Sequence, residues 1–189
     1  MSGDVLENAK ILVVEDDQRM RSFLCAVLSV SENGVLEYAE STDGEEALKV
    51  LGKFKPDIII ADWIMEPMNG LELLKKIRLG FKDISPFMPF IMLTSRTDDF
   101  WKAQARDAGV TEYLEKPVSI TDLYRVVERS LKDFRPFVRS TDYFGPDRRR
   151  RDGHYSGDDR RFSQPVYASP PMAIDPPGGA RQKLMDRAS

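Results

Sequence analysis

The feature that most constrains this chain is a regular alternation along residues 10–133. Short apolar runs rich in β-branched residues take turns with longer stretches patterned as amphipathic helices. Lys10-Ile-Leu-Val-Val14 is too short and too β-branched for a core helix, so it predicts a buried strand. Residues 17–30 follow with Met20, Phe23, Leu24, Val27 and Leu28 at helical spacing. The same reasoning predicts strands at 35–39, 57–61, 89–93 and 111–114, with helices at 44–53, 70–79, 98–108 and 119–133. Five such units imply the α/β class: a five-stranded parallel sheet with helices on both faces. Asp57-Ile-Ile-Ile-Ala61 is the most apolar of the strands and is expected at the centre.

Sheets of this kind bind ligands outside the carboxyl ends of their strands. Glu15, Asp16 and Asp17 follow the first predicted strand, Asp62 the third, Thr94 and Ser95 the fourth, and Lys116-Pro117 the fifth. Singly, an Asp at a strand end is most often a helix cap, and Asp17, beside the first helix, is assigned to that role. Jointly, the residues bring carboxylates, a hydroxyl and an ammonium to one edge. Clustered carboxylates repel one another unless a cation neutralises them. All-oxygen ligands suit Mg²⁺. Asp62 then becomes a candidate nucleophile toward a phosphoryl group, with Thr94 and Lys116 to steady the charge on its oxygens.

These residues carry a resemblance. Ile-Leu-Val-Val-Glu15-Asp16-Asp17, Pro56-Asp-Ile-Ile-Ile-Ala-Asp62-Trp63, Met-Leu-Thr94-Ser95 and Tyr113-Leu-Glu-Lys116-Pro117 resemble, in order and spacing, the signatures of CheY-like response regulator receiver domains. The resemblance covers about residues 9–134. It implies a (βα)5 flavodoxin-like fold with strand order 2-1-3-4-5 and Asp62 as phospho-acceptor. It also implies Mg²⁺ held by Glu15, Asp16, Asp62 and the Trp63 main-chain carbonyl. Thr94 and Lys116 would contact the phosphoryl group, Tyr113 would be the aromatic switch, and a histidine kinase would be the phosphodonor. One position departs: receivers usually carry proline four residues after the acceptor, where this chain has Glu66 followed by Pro67. The spacing to Gly70 is kept.

The formal charge of −3 averages two unlike parts. Residues 1–135 hold 18 basic and 24 acidic side chains, and residues 136–189 hold ten and seven, so a body of −6 precedes a tail of +3. Seven of the 12 prolines also lie in the tail, which argues against a compact core there. The expected organisation is a receiver at 1–135, an arginine-rich ligand-binding extension at 136–166, and a disordered tail at 167–189. Within the extension, Tyr143-Phe-Gly145-Pro-Asp147-Arg148-Arg149 aligns with Tyr155-Ser-Gly157-Asp-Asp159-Arg160-Arg161, both reading Tyr-x-Gly-x-Asp-Arg-Arg. Arginine donates in pairs to guanine O6 and N7 or to phosphate oxygens, and its plane stacks on bases. Aspartate accepts from the opposite guanine edge, and glycine lets backbone approach a flat ring. A duplicated unit of this kind fits a two-fold guanine and phosphate ligand. Seven aspartates among the arginines argue against a DNA or lipid surface.

The receiver with this extension is similar to the CheY-like cyclic di-GMP effectors, the Cle proteins of alphaproteobacteria. That resemblance implies a cyclic di-GMP site formed by Tyr143, Gly145, Asp147, Arg148, Arg149, Arg150, Arg151, Tyr155, Gly157, Asp159, Arg160 and Arg161, with the nucleotide taken up as a dimer. It further implies a flagellar motor switch protein as partner, an effect on motility and surface attachment, and recruitment to the motor at the cell pole. The alternative is a conventional phosphorylation-driven regulator or phosphate shuttle. In neither case is the chain expected to be an enzyme. A lone Cys25 excludes a disulfide framework and a lone His154 a multi-histidine metal site. Apolar runs are too short to span a bilayer, and residues 1–8 lack the pattern of a signal peptide, so a cytoplasmic protein is expected.

Overall fold

The computed structural model describes residues 9–29, 37–82, 84–132, 135–139 and 143–147. Its main sheet comprises β1 (Lys10–Val14), β2 (Glu37–Ser41), β3 (Ile58–Asp62), β4 (Phe90–Thr94) and β5 (Glu112–Glu115), all parallel, in the order β2-β1-β3-β4-β5. This is the CheY-like α/β order expected, and β3 lies at its centre. Between the strands run α1 (Gln18–Ser29), α2 (Gly44–Phe54), α3 (Gly70–Arg78) and α4 (Asp99–Asp107), and α5 (Ile120–Lys132) follows the last.

Side chains alternate across the pleat, so each strand feeds two cores. Ile11, Val13, Ile58, Ile60, Ile91 and Leu93 face Leu24 and Leu28 of α1 and Leu123, Val126 and Val127 of α5. Leu12, Val14, Ile59, Ala61, Phe90 and Met92 face Ala47 and Leu51 of α2, Leu73, Leu74 and Ile77 of α3, and Ala105 of α4. Burial on both faces explains why β3 and β4 read as unbroken apolar runs.

Helix starts are fixed by local polar chemistry. Asp17 accepts from Met20 N–H, Asp43 from Glu45 and Glu46 N–H, and Asp98 from Trp101 N–H. Asn69 and Glu72 form a reciprocal capping box at α3. Ser119 accepts from Asp122 N–H at the start of α5. These caps set the loops that carry the strand-end residues.

Two expectations shift. The second strand begins at Glu37, two residues later than its apolar pattern predicted, because register with β1 (Lys10 opposite Glu37, Val14 opposite Ser41) decides its place on an edge with mostly exposed residues. The Lys10–Glu37 ion pair at 3.0 Å accompanies that register. Asp62 and Thr94, expected just beyond their strands, are the last residues of β3 and β4.

A third difference is larger. Past α5 the chain forms an antiparallel hairpin, β6 (Phe137–Arg139) with β7 (Phe144–Pro146), where sequence composition predicted no packed structure. Phe137 is buried, and its ring meets Phe87 and Phe144 at centroid separations of 5.2 and 5.4 Å. The receiver-like fold therefore continues past residue 135, and the first repeat unit is partly inside it.

Candidate functional site

The carboxyl ends of β1, β3 and β5 converge as the topology requires. Ligand oxygens of Glu15, Asp16 and Asp62 all lie within 4.8 Å of one another, and this is a group able to hold a metal ion among the described residues. Lys116 Nζ reaches Glu15 Oε2 at 2.7 Å and Asp62 Oδ2 at 3.0 Å. The second Asp62 oxygen, Oδ1, accepts from the Trp63 N–H at 2.7 Å. Glu15 and Asp62 are buried, whereas Asp16 is exposed and opens the cluster to solvent.

One ammonium beside three carboxylates leaves an electrostatic deficit. Burial raises the Glu15 pKa above the usual carboxylate value and the Asp62 charge adds to it, while Lys116 opposes the shift. Burial works against charge on Lys116, but its bond to Glu15 and the Asp62 charge prevail and raise its pKa. Oxygen donors only, excess negative charge and an exposed side fit Mg²⁺.

The remaining predicted residues are placed as follows. The Lys116 N–H donates to the Thr94 carbonyl at 2.8 Å, tying the end of β4 to the lysine. Thr94 is fully buried and its Oγ accepts from Arg96 N–H at 2.9 Å, so it does not cap α4, a task that falls to Asp98. Tyr113 donates its phenol to the Arg96 carbonyl, and burial raises its pKa against the effect of the neighbouring Thr94 hydroxyl. Glu66 is exposed and stands outside the carboxylate group. The Trp63 carbonyl, expected as a metal ligand, accepts the Gly70 N–H at 3.1 Å, which closes the β3–α3 loop and leaves its second lone pair.

Sequence reasoning missed three neighbours. Arg21 donates to the Glu15 carbonyl at 2.7 Å and pairs with Glu40 at 3.2 Å, holding the β1–α1 loop. Its only sequence signal is a position four residues after the capping Asp17. Trp101 packs edge-to-face on Trp63 at 5.5 Å, and Arg96 stacks over Trp101 at 4.0 Å. This stack joins the residue after Asp62 to α4.

Of the twelve residues expected to bind nucleotide, Tyr143, Gly145 and Asp147 are described, and all three belong to the β6–β7 hairpin or its edge. Arg148, Arg149, Arg150, Arg151, Tyr155, Gly157, Asp159, Arg160 and Arg161 lie outside the described residues, as does everything from 148 to 189. Among the described residues, no helix is long and apolar enough to cross a membrane.

Comparison with known proteins agrees with this geometry. A model of the response regulator receiver domain family matches residues 11–128. The chain is 32% identical over 125 residues to the alkaline phosphatase synthesis transcriptional regulatory protein PhoP of Bacillus subtilis, covering 66% of this chain and 49% of that protein. It is 33% identical over 133 residues to the transcriptional regulatory protein PdtaR of Mycobacterium tuberculosis, covering 70% and 62%. The chain thus spans about half to three fifths of the length of these relatives. The receiver domain of Francisella response regulator 1452 superposes with a TM-score of 0.60 at 31% identity, covering 67% of this chain and 98% of that one. The chemotaxis protein CheY4 of Vibrio cholerae gives 0.59 at 31% identity, covering 65% and 98%.

Proposed function

Because the chain belongs to the response regulator receiver domain family, we propose that it transmits signals by accepting a phosphoryl group on Asp62. The observation that carries this reading is the Lys116 ammonium bridging Glu15 and Asp62 inside a three-carboxylate cluster. In the proposed step an Asp62 carboxylate oxygen attacks phosphorus, and the bond from phosphorus to its donor breaks. The electron pair leaves with the donor, a phosphohistidine of a histidine kinase. Glu15, Asp16 and Asp62 would hold Mg²⁺, which when bound neutralises charge on the phosphoryl oxygens. Lys116 supplies the protein's own positive charge to the same oxygens, and the Trp63 N–H holds one Asp62 oxygen so that the other is presented.

Two outcomes test this reading. The full chain incubated with acetyl phosphate should gain one phosphoryl mass in magnesium and none after chelation; uptake indifferent to chelation would refute it. Magnesium titrated against tryptophan emission should also bind more weakly as pH falls. Ligation needs the ionised carboxylate, and a raised Glu15 pKa means that protonation competes at higher pH than for an ordinary Glu. The weakening should therefore begin at higher pH than it would with an ordinary Glu, and Glu15→Gln should remove that part of the pH dependence.

The second reading is favoured by the repeated Tyr-x-Gly-x-Asp-Arg-Arg unit. In it the extension at 136–166 binds cyclic di-GMP, as a dimer of the nucleotide, and alters docking on a flagellar motor switch protein. Full-length protein should then show calorimetric binding of cyclic di-GMP over GMP and cyclic AMP. Arg149→Ala with Arg161→Ala should weaken it at least about a hundredfold, since each lost charged hydrogen-bonding group costs about 1.5–3 kcal/mol. Equal affinity in that variant would refute the reading.

A further inference from the structure

The two copies of the repeat meet different surroundings at the level of sequence alone. The first carries Phe144 where the second carries Ser156. In the structure Phe144 completes an aromatic cluster with Phe87 at 5.5 Å and Phe137 at 5.4 Å, and Arg139 lies over its ring at 4.8 Å. A serine supplies no ring for that cluster, so the second copy does not substitute for the first.

Beneath the hairpin sits Arg78, the last residue of α3, buried in the body. Its Nε donates to the Gly109 carbonyl at 2.9 Å and its Nη1 to the Pro86 and Met88 carbonyls, each at 2.8 Å. The Phe137 ring covers the guanidinium at 5.1 Å. Burial pushes the Arg78 pKa down to about 9, with the Tyr143 phenol acting in the opposite direction. The arginine thus gathers three loop carbonyls into a floor on which the hairpin rests.

The fit above that floor is backbone against backbone. Gly109 has φ +84°, and a Cβ there would stand 2.5 Å from the Phe144 carbonyl oxygen. A Cβ on Gly145 would stand 2.6 Å from the Gly109 Cα and 2.5 Å from the Tyr143 hydroxyl. That hydroxyl donates to the Pro146 carbonyl at 2.7 Å, and the Asp147 N–H donates to the Pro136 carbonyl at 2.7 Å, which closes the hairpin. An isolated two-stranded hairpin is marginal in water, so this seat is what holds it.

Resting on the cyclic di-GMP reading above, we infer that Tyr143, Phe144 and Gly145 of the first repeat are positioning residues that lock the hairpin onto Arg78 and Gly109. Their part in nucleotide binding is then indirect, through the hairpin they hold against the receiver. The tyrosine and glycine shared by the two copies accordingly have different tasks.

Native-state hydrogen exchange on the full-length protein, read together with melting and cyclic di-GMP titration, tests this. The amides of residues 137–139, 143–145 and 147 should exchange at least about tenfold more slowly than unstructured peptide. Gly145→Ala should release that protection and lower Tm by roughly 5 °C, whereas Gly157→Ala should change neither. Unprotected amides in the wild type, or a Gly145→Ala protein that keeps both protection and Tm, would overturn the seat. For the ligand, Phe144→Leu and Gly145→Ala should reduce affinity in proportion to the hairpin protection each loses. Affinity lost with protection intact would overturn the division of tasks by making Gly145 a direct contact. Absence of nucleotide binding by the wild type would defeat the cyclic di-GMP reading alone, because exchange and melting still decide the seat.

Discussion

Replacing Asp62 by asparagine is expected to reduce phosphoryl uptake from acetyl phosphate to background while leaving the fold at least as stable. The amide oxygen can still accept the Trp63 N–H, which Asp62 holds at 2.7 Å, and Lys116 keeps its 2.7 Å pair with Glu15. What disappears is the nucleophilic oxygen, one of three mutually repelling carboxylates, and the Asp62 half of the 3.0 Å pairing with Lys116, whose ammonium keeps Glu15 as partner. Relief of that repulsion outweighs the lost half of a pairing that Glu15 still satisfies, and should raise stability by up to about 1 kcal/mol, the scale of one like-charge contact in partly screened surroundings. Loss of uptake with a rise in Tm separates a chemical role for Asp62 from a structural one. Loss of both would place the residue in the scaffold instead.

Gly70→Ala should have the largest effect on folding of any single methyl added near the site. A Cβ at this position would fall far inside van der Waals contact with the Asp62 carbonyl oxygen and 3.0 Å from its carbonyl carbon. Those atoms belong to the central strand, and a rotamer change cannot move them aside. The Gly70 N–H also donates to the Trp63 carbonyl at 3.1 Å, so any shift of α3 opens the loop that carries the acceptor. A cost of about 3 kcal/mol is expected, the upper part of the range for overpacking. This corresponds to a fall in Tm of about 10 °C. Phosphoryl uptake should slow as well, because Asp62 is displaced with its backbone. A melt within 2 °C or so of wild type would contradict the packing described for this loop.

The fold and most of the acidic site were legible because both follow from topology. Once five apolar runs read as parallel strands, Glu15, Asp62, Thr94 and Lys116 had to emerge at one edge, and the structure brings Glu15, Asp62 and Lys116 into direct contact. What sequence did not disclose depended on tertiary partners. That the Trp63 carbonyl also ties the β3–α3 loop to Gly70 is something residue types alone do not reveal. Arg21 and Arg78 sit on amphipathic helices, where a cation reads as solvated surface. Arg78 is buried only because three carbonyls and the Phe137 ring come to it from distant segments. The hairpin was hidden for a related reason. Its strands have three residues each, and Pro136, Gly145 and Pro146 read as punctuation until the receiver supplies the surface that holds them.

The site, its lysine and the family match all converge on Asp62. The most direct measurement reduces the acetyl-phosphate-treated full-length protein with borohydride, which converts an aspartyl phosphate to homoserine, and maps the peptides by mass spectrometry. Homoserine at position 62, formed in magnesium and absent after chelation, is the predicted result. Homoserine at another carboxylate, or none at position 62 in the presence of magnesium, would contradict it.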